Sequence, residues 1–412
     1  MFSSYKGMPK EVIYLICSTI LPSVAYGMFY TDISYFLTTV QGVSYELMGM
    51  VITAIGVSTF IASIFLGIAA DIHGRKKLLV VGNVLASVIL AVFALTTNPV
   101  LLLAAAIFEG ISEAAVLASS SALLAEKAGD AKRNSAFSLY GFAQSIAFGL
   151  GSIALSAIVV FELFGFTNRE SHVLLYVVMA VFSLVSTFIM LKVSESKSLK
   201  KSGVGLMELL PRKSKGILSK FVLTSAVVSF GAGIVVPLMT AWFRLQYGIS
   251  DSISGPILGI SSIVIGVAML AAPPLATRLG IVKAIVVTQS LSTVFMFATP
   301  LSPDYVSASF VYSMRALLMN MATPLQQSMI MGLVAEDERG AVSGVSGALW
   351  RLPNALSTFL GAWLMGIGLL AEPFFMAGLF YMVSIILFWY YFRKVKMVGE
   401  KGYETEAHFL NG

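Results

Sequence analysis

Long apolar runs separated by short polar breaks dominate the chain. A helix rises 1.5 Å per residue, so about 20 predominantly apolar residues cross the hydrocarbon of a bilayer. Such runs occupy 11–39, 45–69, 78–96, 99–124, 135–161 and 173–192. A polar stretch follows, and then runs at 217–243, 252–275, 282–299, 305–333, 341–369 and 372–392. The pattern predicts an all-α membrane protein of twelve transmembrane helices, with a six-helix bundle over 1–193 and another over 217–392. The stretch 194–216 reads as a basic linker and 393–412 as a tail. The first run extends past a signal-peptide core and has no clean small-residue cleavage site, so it reads as a retained helix.

Composition agrees with this pattern. Hydrophobic residues make up 57% of the 412 and charged residues 12%, against about 25% charge in soluble domains. A mean hydropathy of +0.87 requires apolar surface nearly everywhere. The net charge of +6 does not indicate a nucleic-acid surface, because the basic residues sit in short breaks between spans. Of the 27 Lys and Arg, 23 fall on the side of the N-terminus and two (Arg169, Arg244) on the other, leaving Arg315 and Arg351 within spans. The positive-inside rule then predicts a multi-pass protein of the cell membrane with both termini cytoplasmic. One Cys excludes a disulfide framework or thiolate metal site, and three scattered His give a metal site little material. No metal is expected.

The chain repeats at an offset of 206 residues, half its length. Gly42-Val43-Ser44 answers Gly248-Ile249-Ser250, Gly49 answers Gly255, Gly74 answers Gly280, and Arg133 answers Arg339. Register held without a gap predicts two pseudo-symmetric halves.

Between the second and third runs stands Gly67-Ile68-Ala69-Ala70-Asp71-Ile72-His73-Gly74-Arg75-Lys76-Lys77. It resembles the G-x-x-x-D-R-x-G-R-[RK] loop of the major facilitator superfamily, with Ile72 where a basic residue is usual. The second-half counterpart keeps Arg278, Gly280 and Lys283 but has Thr277 in place of the Asp. With twelve spans, a basic central linker and duplicated halves, the resemblance covers the whole sequence. It implies that Gly67, Asp71, Gly74, Arg75, Arg278 and Gly280 belong to a conformational latch. In that latch Asp71 would face the start of the eleventh span, and Arg75 would pair Glu126 or Asp130. The alternative is a loop that only sets topology. Gly141, Gly149 and Gly151-Ser152 resemble the family's glycine-rich antiporter motif without its Pro, and Ala106 stands where the family often has an Arg.

Ionisable groups inside spans mark pathways, partners or cavities. Asp32, Glu109, Glu113, Arg315 and Arg351 are such groups here, and Arg244 near an outer end can snorkel instead. Glu109 and Glu113 share one helical face. Glu109 and Arg315 are repeat-equivalent, and the resembled fold lines its cavity with helices one, four, seven and ten. An ion pair between them across the substrate path is therefore expected, either functional or simply holding the halves. Two carboxyl groups in one low-dielectric space do not both ionise readily, so Glu113 or Asp32 is the expected proton carrier. Tyr26, Tyr30, Gln144, Trp242, Asn320, Gln326, Gln327, Trp350 and Asn354 supply a polar and aromatic lining suited to an amphipathic or cationic solute.

The expected function is secondary active transport of a small organic solute by alternating access, with proton-coupled efflux of drug-like or amphipathic compounds favoured. Proton-coupled uptake of a metabolite or organic anion held by Arg315 and Arg351 is the alternative, and a transporter-like sensor a further one. No D-D-x-x-D run or G-x-x-x-x-G-K-[ST] loop is present, which argues against a lipid-phosphate enzyme or a nucleotide-driven pump. The expected partners are the solute and the bilayer. No cofactor is expected beyond a proton gradient, and the protein is expected to be a monomer.

Overall fold

A computed structural model describes residues 8–195, 213–268, 272–334 and 339–395. The first bundle holds α1 (Lys10–Val40), α2 (Tyr45–His73), α3 (Arg75–Leu95), α4 (Pro99–Gly129), α5 (Leu139–Leu163) and α6 (Asn168–Met190). The second holds α7 (Lys215–Tyr247), α8 (Asp251–Ala268, then Ala272–Leu279), α9 (Ile281–Leu301), α10 (Tyr305–Leu333), α11 (Arg339–Gly366) and α12 (Glu372–Phe392). Among the described residues, nine of these runs are long and apolar enough to cross a membrane. Most of the linker, 196–212, and the tail beyond 395 lie outside the described residues.

Local chemistry sets the helix ends. Asn98 Oδ1 accepts from the Val100 and Leu101 amides at 2.9 and 3.3 Å, capping α4. Its counterpart 206 residues on, Asp304, accepts from the Val306 and Ser307 amides at 2.9 Å each and caps α10. Those donors, the Ser307 amide foremost, hold the exposed Asp304 carboxyl below its usual range. Between α2 and α3 the chain turns at Gly74 (φ 103°), and between α8 and α9 at Gly280 (φ 83°). Only glycine adopts such angles without strain. From Pro99 to Ala154 helical bonding runs nearly unbroken, with α4 and α5 parted by Gly129 at φ 62°.

Close approaches repeat as well. A Cβ at Gly27 on α1 would collide with the backbone carbonyl of Phe148 on α5, and one at Gly233 on α7 with that of Asn354 on α11. Both residues of the second pair stand 206 positions beyond their counterparts in the first. The halves meet at the end remote from the termini. There Gly49 packs on Ala362 and Phe359, and Gly255 on Ser152 and Leu155. Thr53 donates to the Ala355 carbonyl at 2.8 Å. Thr240 donates to the Thr31 carbonyl at 2.7 Å, leaving the Ser34 hydroxyl to donate to Thr240 at 2.7 Å. Small residues permit this packing where no hydrophobic effect drives helices together. Outward faces remain apolar: Phe65, Phe142, Phe188, Phe310 and Ile386 are each at least 60% exposed. Apolar surface on that scale suits lipid rather than water as the solvent.

Candidate functional site

Among the described residues, two cavities adjoin the divide between the halves. The first, about 490 Å³, lies between the halves, walled by α1, α2, α4 and α5 on one side and by α7, α8, α10 and α11 on the other. The second, about 420 Å³, lies mainly within the first half, among α1, α3, α4, α5 and α6. They share Tyr26, Glu113, Phe148, Ser262, Ile265 and Arg351.

Glu113 is the hub of that junction. Its Oε1 accepts from Arg351 Nη1 across the divide between the halves. Its Oε2 accepts from the Tyr30 hydroxyl at 2.9 Å, with the Thr59 hydroxyl at 3.1 Å. Tyr26 lies behind Tyr30, hydroxyl to hydroxyl at 3.4 Å. The Arg351 side chain is 38% exposed, to the cavity, whereas that of Glu113 is 6% exposed. The pair is thus open to competition from one side.

Glu109 faces the smaller cavity, 3% exposed, and its Oε2 has no hydrogen-bond partner. The expected Glu109–Arg315 pair is absent among the described residues. Repeat-equivalence gave the two residues matching heights on α4 and α10 but not a shared partner. Arg315 instead donates to the Tyr381 hydroxyl and lies 5.3 and 5.6 Å from the Tyr312 and Tyr381 rings. These aromatic faces hold the cation where, among the described residues, no carboxylate lies within ion-pair distance, and its Nε has no hydrogen-bond partner. The acid that crosses to the second half is Glu113, and the arginine that meets it is Arg351.

Gln144 lines the smaller cavity, and Asn320, Trp350 and Asn354 the larger. Asn320 bonds back to the Ala316 carbonyl at 2.8 Å, and Asn354 reaches the Ser229 carbonyl at 3.2 Å. Trp242, expected in the lining, is fully buried, its indole donating to the Leu370 carbonyl at 2.9 Å. Arg244 is exposed and donates to the Gly248 carbonyl at 2.7 Å.

Asp32 lines neither cavity. It is wholly buried nearer the closed end, beside His172 of α6 and Asp251 of α8. Sequence reading missed this trio because three scattered histidines carry little signal and Asp251 reads as a loop residue. His172 at the very edge of the apolar run 173–192 was the available sign.

At the terminal end, Arg75 Nη1 lies 3.1 Å from Glu126 Oε2 and 3.4 Å from the Ala122 carbonyl. The Lys76 amide donates to Glu195 at 3.0 Å. Arg278 is exposed at the end of α8. The surroundings of Gly67 and the side chains of Asp71 and Asp130 lie outside what is described.

Comparison with known proteins accords with this geometry. The family model described as Major Facilitator Superfamily matches residues 15–358 and 221–409. Multidrug resistance protein 2 of Bacillus subtilis (strain 168) is 22% identical over 348 residues, covering 84% of this chain and 86% of that protein. The crystal structure of a point mutant of the nucleoside transporter NupG superposes with a TM-score of 0.76 at 15% identity, over 93% of this chain and 100% of that one. A bacterial homologue of the human lysosomal transporter Spinster, in an inward-facing and occupied conformation, gives 0.74 at 13% identity, over 93% and 96%.

Proposed function

Since the chain belongs to the Major Facilitator Superfamily, it is a multi-pass membrane transporter and not an enzyme, and we propose that it exports small cationic or amphipathic organic molecules in exchange for protons. The observation that carries this reading is the Glu113–Arg351 pair, which joins the halves where the two cavities meet. A cationic solute entering the larger cavity competes with Arg351 for the Glu113 carboxylate. A proton on Glu113 abolishes the attraction for either. Solute and proton therefore exclude one another at a single group, which is the requirement for exchange. Tyr26, Tyr30 and Trp350 offer aromatic faces to an organic cation on its way there. Glu109, one helical turn away with a free carboxyl oxygen, is a second stop for the proton. The relation to a multidrug resistance protein supports the drug-like solute class.

In this account the protein sits in the cell membrane as a monomer, termini in the cytoplasm, with no cofactor beyond the proton gradient. The present conformation, closed at the end away from the termini, then faces inward. Asp71, Gly74, Arg75 and Glu126 act in the latch that closes the cytoplasmic side in the other conformation, with Gly67, Arg278 and Gly280 shaping its turns.

A second reading rests on Arg315. A buried guanidinium at the wall of the larger cavity, with no described carboxylate in reach, suits an organic anion, and uptake of a metabolite is the function that follows. Proteoliposomes with a pH gradient imposed in either polarity separate the two. Export predicts gradient-driven movement of lipophilic cations that Glu113→Gln abolishes and Arg315→Gln spares. Accumulation of organic anions that depends on Arg315 overturns it.

A further inference from the structure

Asp32, His172 and Asp251 form a cluster that the proposed exchange does not use. All three are 0% exposed. Two come from the first half and one from the second, so the cluster spans the closed interface near Ser34 and Thr240. His172 Nε2 lies 3.2 Å from Asp251 Oδ2 and 3.7 Å from Asp32 Oδ1, and one donor atom from each residue falls within 4.8 Å of the others.

The ring's other nitrogen fixes its chemistry. Nδ1 lies 2.7 Å from the Asn168 carbonyl, which can only accept, so Nδ1 carries the hydrogen. The capping box between Thr167 and Glu170 pins that turn of α6. Phe36 and Tyr35 stack on the imidazole at 5.6 and 6.1 Å and hold its plane. In the neutral ring the Nε2 lone pair therefore faces two carboxylates, an arrangement that a cation standing among them would relieve. A proton on Nε2 would serve Asp251 and leave the rest bare. Both Asp32 oxygens and Asp251 Oδ1 are buried with no hydrogen-bond partner.

We propose that Asp32, His172 and Asp251 bind one divalent transition-metal ion of the zinc class, which staples the two halves together at this end. Bonds of about 2.0–2.1 Å at tetrahedral angles separate donor atoms by roughly 3.3 Å, and the two nitrogen–oxygen distances bracket that value. Two carboxylates and a neutral imidazole balance a dication, leaving no net charge in a site without solvent. A nitrogen donor among oxygens selects zinc, cobalt or nickel over calcium or magnesium, which favour oxygen alone. The Nδ1–H bond to a backbone carbonyl is the outer support that metal-binding imidazoles normally have. Because the site is sealed in this conformation, the ion enters when the halves part at that end, and once bound it opposes their parting.

The test uses the full chain in lipid nanodiscs at neutral pH and reads metal directly, so it stands whatever the transported solute. Zinc is titrated in competition with a chromophoric chelator, and cobalt is added alone to record its visible spectrum. One zinc per chain is expected, with the intense visible bands of low-coordinate cobalt. Asp251→Asn and His172→Gln each weaken zinc binding tenfold or more and abolish the cobalt bands. Asp32→Asn, which keeps the side-chain shape, does the same and serves if the others fold poorly. Removing the remaining histidines, as His73→Ala with His408→Ala, leaves binding unchanged. Less than one zinc per chain in the wild type overturns the site and leaves a proton as the cation there. Equal zinc affinity in wild type and Asp32→Asn overturns it too.

Discussion

Position 109 on α4 and position 315 on α10 occupy equivalent places in the two halves, yet one is Glu and the other Arg. The same divergence holds at the other ionisable groups buried in the spans or lining the cavities. Glu113 answers Met319, Arg351 answers Ser145, Asp32 answers Leu238, and His172 answers Gly378. Backbone devices diverge far less. Asn98 and Asp304 cap the same helix start, Gly74 and Gly280 make the same turn, and Gly27 and Gly233 admit the same neighbouring carbonyl. Duplication thus survives where geometry leaves no choice and lapses where chemistry is exchanged between halves. The cavity acids Glu109 and Glu113 lie in the first half and the cavity arginines in the second, so the central ion pair has to cross the divide.

The largest effect expected from this contrast lies in the shared framework. Gly27→Val and Gly233→Val each force a side chain onto a backbone carbonyl that cannot step aside. Both should cost stability at the top of the about 1–3 kcal/mol typical of overpacking, or beyond it, and to a similar degree. Gly141→Ala, where a Cβ meets nothing within 4 Å, should be neutral or gain about 0.5–1 kcal/mol. Thermal unfolding in detergent checks all three. A large loss in one half only would break the equivalence.

Next come the charges. Glu113→Gln and Arg351→Gln should be coupled, the double variant recovering about 1–2 kcal/mol relative to the sum of the single changes. Part of that gain is tempered because Arg351 is open to the cavity. Glu109→Gln and Arg315→Gln share no partner and should add to within about 0.3–0.5 kcal/mol. Strong coupling in the second cycle would restore the pairing that repeat symmetry suggests.

The smallest effect separates the two caps. Asn98→Ala should lower stability by about 1 kcal/mol at any pH. The Asp304 carboxyl is held below its usual range by the Ser307 and Val306 donors, so its contribution is complete above the ordinary carboxylate value. It fades as pH falls through the lowered one. The unfolding difference between wild type and Asp304→Ala should therefore shrink in acid while that of Asn98→Ala persists.

The fold was largely legible because hydrophobic length acts locally. Runs such as 305–333 and 372–392 coincide with α10 and α12, and the turns at Gly74 and Gly280 were visible as repeat landmarks. The cavity residues Glu113, Arg351, Tyr30, Gln144, Asn320, Trp350 and Asn354 were visible as polar groups inside apolar runs. Their pairing was not. Which acid meets which arginine depends on how α4 and α11 tilt and rotate, and offset arithmetic gives height along the helix but not azimuth. Tyr312 and Tyr381 were hidden for a similar reason, since an aromatic in an apolar run looks like packing until a cation is seen against it. The His172 cluster needed three helices to converge, and no spacing in the sequence records that.

The central claim is that the Glu113–Arg351 pair holds the halves in the present conformation. Spin labels at Leu95→Cys and Leu301→Cys read it most directly, in a Cys17→Ser background that removes the one native cysteine. Both sites are about 70% exposed, at the closed end, one on each half. The account predicts one short label-to-label distance in the parent, and in Glu113→Gln or Arg351→Gln a second, longer distance whose share rises by roughly 5-fold or more. Identical distance distributions in all three proteins would contradict it.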